Sequence, residues 1–231
     1  MQDANNFFFF IIISSITLLL SLVVNTDFID NAIKKKKINQ ILLIDNNYMS
    51  KDFFLSKIST KEGQSYWLFN FFKLKKELQS LNELEEYEFN LDWAGNLVIS
   101  VREKEPFMRW HINNHVHFID DRGKILNYNK KLNNLKIINL YGENANIHVT
   151  YLKNSFFDKK PSKIKVDDVH FLKNIGWKII FSDEKCVFFP LKELEKLSVI
   201  FENIVNSSLY LEFNFFDLRI SERVYLSKKK C

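Results

Sequence analysis

The sequence predicts an α+β protein. A single N-terminal transmembrane helix leads into a small β-α-α-β-β domain, then a mostly antiparallel β domain with helices on one side. Three observations predict it: an uncharged apolar run opens the chain, two stretches of helical period lie between alternating strands before residue 105, and Pro106 parts those strands from a second set. The 231 residues then divide into a short tail (1–6), an anchor (7–24), a linker and first domain (25–105) and a β domain (106–231).

The anchor comes first. Phe7 to Val24, "FFFFIIISSITLLLSLVV", is 18 residues without a charge. A helix of that length rises about 27 Å, close to the thickness of the bilayer hydrocarbon. Ser14, Ser15, Thr17 and Ser21 can return their hydroxyls to carbonyls one turn back, so they do not forbid insertion. The rival is a cleaved signal peptide. Residues 1–6 hold no Lys or Arg, the run exceeds a usual signal core, and "LVVNT" lacks a small-x-small cleavage site, all of which favour an uncleaved anchor. Lys34 to Lys37 follow closely, and the positive-inside rule places them on the cytoplasmic side.

After the lysines, "INQILLID" (38–45) reads as a buried strand. Ser50 suits the N-cap of a helix through Ile58, with Phe54, Leu55 and Ile58 facing inward. From Phe69 to Leu81 the residues Phe71, Leu74, Leu78 and Leu81 recur at helical spacing. "EEYEFNL" (85–91) alternates acids with apolar residues, and "DWAGN" turns into "LVISVRE", where Leu97, Ile99 and Val101 share a face. Pro106 lacks the N–H that a strand ladder needs and ends the last strand, which makes 102–106 the joint between domains.

The second set begins with "FMRWHI" and "HVHFID", then "GKILN" after a "DDRG" turn, then "KIINLYG". Past a loop, Val169 to Ile175 has helical spacing. "GWKIIFSDEKCVFFP" forms a hairpin with its turn at Ser182–Glu184. Pro190 opens a helix through about Val205, with Leu191, Leu194, Leu197, Phe201 and Ile204 as its inward stripe. "LYLEFNFFDLRISERVYLS" supplies two closing strands.

Composition and motifs exclude several function classes. The net charge of +5 is dispersed among acids, as in "KLKKELQSLNELEEYE", so the stripe that a nucleic acid needs is missing. The five glycines are isolated, which rules out a phosphate-cradling loop, and neither HExxH nor GxSxG occurs. His115 and His117 project to one face of a strand with His111 nearby, but only Asp120 stands close enough to help complete a tetrahedral metal site. Asp120 and Asp121 have a turn composition rather than that of an acid–base pair. Cys186 sits in an apolar strand and reads as core packing; with Cys231 it makes no CxxC pair, and a disulfide is possible. The reading contains no cofactor, metal or catalytic residue.

"NLVISVREKEPFMRWHINNHVHFIDDRGKIL" carries a strand ending in valine and glutamate, a proline, a tryptophan strand and an Asp-x-x-Gly turn. "INLYG", "GWKIIFSDEKCVFFPLKELEKL" and "FFDLRISERVYLS" follow in order. This ordered set resembles the FtsQ/DivIB bacterial cell-division family. The resemblance implies that 25–105 contains a POTRA domain, that Glu103 and Pro106 mark the domain junction, and that the protein is no enzyme and takes no small-molecule substrate. It further implies an inner-membrane protein at the division septum, N-terminus cytoplasmic and C-terminal domains periplasmic, against the vote of the lysines. Its partners would be the FtsB and FtsL proteins and other divisome membrane proteins.

In that family the partner adds a strand to the edge made by the last β-strand. Here the edge maps to Asp217, Leu218, Arg219, Ile220, Ser221, Glu222, Arg223, Val224, Tyr225 and Leu226. Arg219 matches the family's arginine, which would pair with an acid on the partner. The competing reading makes Arg219 and Arg223 gatekeeper charges against edge aggregation. Asn174, Ile175 and Gly176 stand before Trp177 where many relatives carry basic residues, Arg223 and Tyr225 stand where some have small ones, and the N-terminal tail is short and lacks basic residues. Two other readings are a POTRA-containing factor of outer-membrane protein assembly or secretion, and a membrane-tethered periplasmic enzyme.

Overall fold

The structure is a computed structural model that describes residues 11–18, 21, 35–128, 132, 135–159, 163–220 and 222–231. Residues 11–18 and 21 are helical, and no helix among the described residues is long and apolar enough to cross a membrane. The remainder of the anchor expected at 7–24 lies outside the described residues. The chain forms two compact units. One comprises Met1–Asn46, Lys51–Ser80 and Glu86–Val101; the other comprises Asn47–Ser50, Leu81–Glu85 and Arg102–Cys231.

The first unit follows the expected β-α-α-β-β order. Strand β1 (Gln40–Ile44) pairs in parallel with β3 (Asn96–Glu103), which lies between β1 and β2 (Leu84–Leu91) in a three-stranded sheet. Leu97, Ile99 and Val101 alternate along β3 and are all buried. Helix α1 (Lys51–Lys57) buries Phe54, and α2 (Phe71–Gln79) buries Leu74 and Leu78 one turn apart. The Asn70 side chain caps α2 by accepting the Lys73 N–H at 2.9 Å. Strand β1 is less buried than expected: only Ile41 is inaccessible, because β1 lies at the edge of its sheet.

The second unit is built on a nine-stranded sheet. Its strands are β4 (Met108–Ile112), β5 (His115–Ile119), β6 (Ile125–Leu126), β7 (Ile138–Tyr141), β8 (Val166–Leu172), β9 (Gly176–Phe181), β10 (Cys186–Pro190), β11 (Phe215–Asp217) and β12 (Tyr225–Ser227). The spatial order is β12-β11-β10-β9-β8-β7-β4-β5-β6. The sheet is mainly antiparallel, with parallel pairs at β4–β7, β7–β8 and β10–β11. One apolar cluster joins Trp110, Leu140, Val169, Ile179, Phe189 and Phe216 of the sheet to helical residues that include Val149, Phe156 and Phe201. The helices therefore cover one face.

Several sequence expectations are corrected here. Residues 169–175, expected as a helix, belong to β8 and the turn after it. Val169 and Phe171 alternate into the core, and pairing with both β7 and β9 decides between two periods that a short apolar run fits equally well. The stretch read as a loop before β8 contains continuous helical turns: Ala145–His148, then α3 (Val149–Leu152), then a wider π-type turn at Lys153–Phe157. Val149, Leu152 and Phe156 are its buried stripe.

Pro190 does not open a helix. It ends β10 opposite Gly176, and α4 (Leu194–Val205) starts after Glu193 takes a left-handed φ of 61°. Of the expected stripe on α4, Leu194, Phe201 and Ile204 are buried, and Leu191 and Leu197 pack partly against the core. Residues at the start of the first closing strand instead make the helix α5 (Ser208–Glu212), which is capped by Ser207.

Candidate interaction edge

Strand β12 terminates the large sheet. It pairs antiparallel with β11 (Phe215 opposite Ser227, Phe216 opposite Leu226, Asp217 opposite Tyr225), and its other side carries no strand among the described residues. The ten-residue edge expected at 217–226 is not one strand. Asp217 ends β11 inside the sheet, and the chain must reverse through 218–224 before β12 can run back beside it. Glu222 takes a φ of 63° in that reversal. Leu218 is buried in the core, Ile220, Val224 and Tyr225 are exposed, and Leu226 packs partly on the core. Glu222 and Arg223 face solvent, and Ser221 lies outside the described residues.

Arg219 is committed within the chain. Its Nε and Nη2 donate to the two oxygens of Asp217 at 2.9 and 2.6 Å, its backbone N–H adds a third bond at 3.0 Å, and its guanidinium sits 4.8 Å from the ring centre of Phe188. These side-chain hydrogen bonds hold the Asp217 carboxyl below the usual carboxylate range, against the opposing effect of burial. In the unbound chain a carboxylate two residues away forms the fork that the resemblance assigns to a partner's acid. Phe188 also meets Phe215 at 5.3 Å and Lys178 at 5.7 Å, so the helix-free face beside the edge is aromatic and cationic.

Residues beyond β12 are fastened too. Cys231 forms a disulfide with Cys186 of β10, across a Cα–Cα distance of 6.1 Å. The sequence left this bond open as possible, and Cys186 combines it with the core packing expected of an apolar strand. The signal available was that the chain has just two cysteines.

Comparison with known proteins bears on this geometry. No protein-family model matches the chain. Over 200 residues the chain is 21% identical to "Cell division protein FtsQ" of Rickettsia bellii (strain RML369-C), covering 83% of this chain and 72% of that protein. The chain is distantly similar to a division protein. A match of that length on 231 residues runs through both compact units.

The other sequence candidates have structural partners. Glu103 is buried, and its carboxylate accepts the backbone N–H groups of Asn47 and Met49 at 2.7 and 2.8 Å and that of Tyr48. It fills a backbone anion nest inside the second unit. Pro106 lies between β3 and β4 and is half-buried. Asp120 accepts the N–H groups of Arg122 and Lys124 at 2.9 and 2.8 Å, a turn-forming role. That turn requires Gly123: at φ 74°, a Cβ there would meet the Asn146 carbonyl oxygen at 1.8 Å.

The histidines divide between faces. His117 lies beside core-facing Trp110, whereas His111 stacks on Tyr141 at 4.7 Å and reaches Asn139 at 3.1 Å on the helix-free face. No group of three His, Cys, Asp or Glu among the described residues could hold a metal ion.

Proposed function

We propose that this chain is a membrane-anchored, non-enzymatic scaffold of bacterial cell division that captures its partner by strand addition to β12. The observation that carries the reading is the similarity to FtsQ through both compact units. On this reading the first unit is a POTRA domain and residues 106–231 are the partner-binding β domain. Residues 7–24 hold the chain in the inner membrane, with the N-terminus cytoplasmic and both domains periplasmic at the septum. The partners are the extracytoplasmic segments of FtsB and FtsL. Nucleic acid, small-molecule substrates and cofactors play no part.

General physics of sheet edges supports this reading. Unpaired N–H and C=O groups along a sheet edge template an incoming strand, giving affinity with little sequence demand. The Asp217–Arg219 fork and the Cys186–Cys231 bond hold the neighbouring chain in place, so less ordering remains to be done on binding. A disulfide also suits an exported domain, since such bonds persist in oxidising compartments.

The test is binding of the full chain, in detergent or nanodiscs, to the FtsB and FtsL segments, comparing the native protein with Tyr225→Pro and Leu226→Pro. Neighbouring residues of a strand point their N–H groups to opposite sides, so one proline removes an outward donor and the other a ladder donor. The outward variant should stay folded and lose at least tenfold in affinity. Retained binding by two folded proline variants would refute strand addition at β12.

A further inference from the structure

The first unit displays an aromatic surface that its core does not use. Trp67 is 50% exposed, Leu68 74%, Phe72 87% and Trp93 77%. Two turns bring Trp67 and Trp93 to the same place around Tyr66: Tyr66–Leu68 forms a short helical turn before α2, and Trp93 lies in the β2–β3 turn. Tyr66 meets Trp67 at 5.4 Å and Trp93 at 6.2 Å, and the Lys36 ammonium sits 4.1 Å from the Tyr66 ring, 4.5 Å from Trp93 and 5.6 Å from Trp67. Backbone bonding fixes the lysine segment to this turn, since the Tyr66 N–H donates to the Lys36 carbonyl at 3.0 Å and Lys37 bridges to Ser65.

Exposed apolar side chains concentrated in one place mark an interaction surface rather than ordinary solvent exposure. Two observations identify the occupant. Lysines intermixed with tryptophan and tyrosine match the headgroup layer of a bilayer, where rings take the amphipathic level and ammonium groups meet anionic lipid. The surface is also tethered close to a membrane by the anchor at 7–24, on which this inference rests. Lys36 follows Val24 by twelve residues, a tether of at most about 40 Å. So short a tether keeps the patch at high effective concentration over the bilayer. We infer that the surface around Lys36, Tyr66, Trp67 and Trp93 seats the first unit on an anionic lipid surface.

The test uses the full chain reconstituted in vesicles, with phosphatidylcholine alone or mixed with phosphatidylglycerol, and a lipid spin-labelled at its headgroup as quencher. Trp110 and Trp177 are buried and serve as an unquenched internal reference. Emission from Trp67 and Trp93 should be quenched in the anionic vesicles and shielded there from acrylamide. The triple change Lys35→Glu, Lys36→Glu, Lys37→Glu should at least halve the quenching while leaving the reference emission unchanged. A chain that floats with the vesicles, but whose tryptophans answer only to acrylamide, overturns the inference and leaves the anchor intact. A chain that does not float removes the anchor, and this inference with it. Shielding that vanishes as protein is diluted in lipid, without spin-label quenching, assigns the patch to a second copy and also overturns the inference.

Discussion

The two units treat aromatic residues in opposite ways. In the second, Phe181, Phe189 and Phe216 surround Phe201 at ring distances of 5.6, 5.9 and 5.7 Å, and Trp177 is almost fully buried. In the first, Trp67, Phe72 and Trp93 face outward, and the core is aliphatic apart from Phe54. A wide sheet with helices along one face encloses enough volume to house large rings. A three-stranded sheet with two short helices has less interior to offer. Abundant aromatics therefore mean stability in one unit and surface chemistry in the other, and composition alone cannot separate the two.

The largest expected effect tests that difference directly. Phe201→Ala empties the centre of the second core and should cost about 3–5 kcal/mol, whereas Trp93→Ala should stay within about 0.5 kcal/mol. Urea denaturation measures both, followed by the emission of Trp110 and Trp177 for the second unit and by far-ultraviolet circular dichroism for the first; a large loss from the tryptophan variant would mean that the exposed patch is structural. Next comes the disulfide, which closes a loop of 45 residues confined to the second unit. Cys231→Ser should lower the stability of that unit by about 2–4 kcal/mol. Acrylamide access to Trp67 and Trp93 should not change. An unchanged denaturation midpoint would show that the bond contributes nothing to the fold.

Much of the first unit was legible because its signals are local. The alternation of Leu97, Ile99 and Val101 and the Leu74–Leu78 spacing act within a few residues, and each is realised. The second unit was less legible because long-range pairing settles its ambiguities. The 169–175 run fits either period until β7 and β9 flank it, and Pro190 suits a helix start as well as a strand end. The helical turns at 145–157 hid behind polar residues and a left-handed Asn144, whose φ is 56°. At the edge, "FFDLRISERVYLS" reads as a continuous strand because nothing local in it announces the reversal before β12. The partners of Cys186 and Arg219 follow from that reversal: one lies 45 residues away, the other at the end of the preceding strand.

The smallest expected effect concerns this reversal and its pH dependence. Arg219 lowers the folded pKa of Asp217, so near pH 4 the unfolded chain binds the proton more readily than the folded chain does. The stability that the pair contributes is complete above about pH 4 and is lost as pH falls through the lower folded value. Both side chains keep some solvent contact, so the contribution should be below about 1 kcal/mol. Asp217→Asn should accordingly lower the urea midpoint slightly at pH 7, and the gap from the native chain should close as the pH falls below about 4. Added salt should narrow the gap at pH 7 as well, because a partly exposed pair is screened. A gap that persists unchanged into acid would trace the effect of the substitution to lost backbone bonding in the turn, leaving Arg219 free to meet a partner's carboxylate instead.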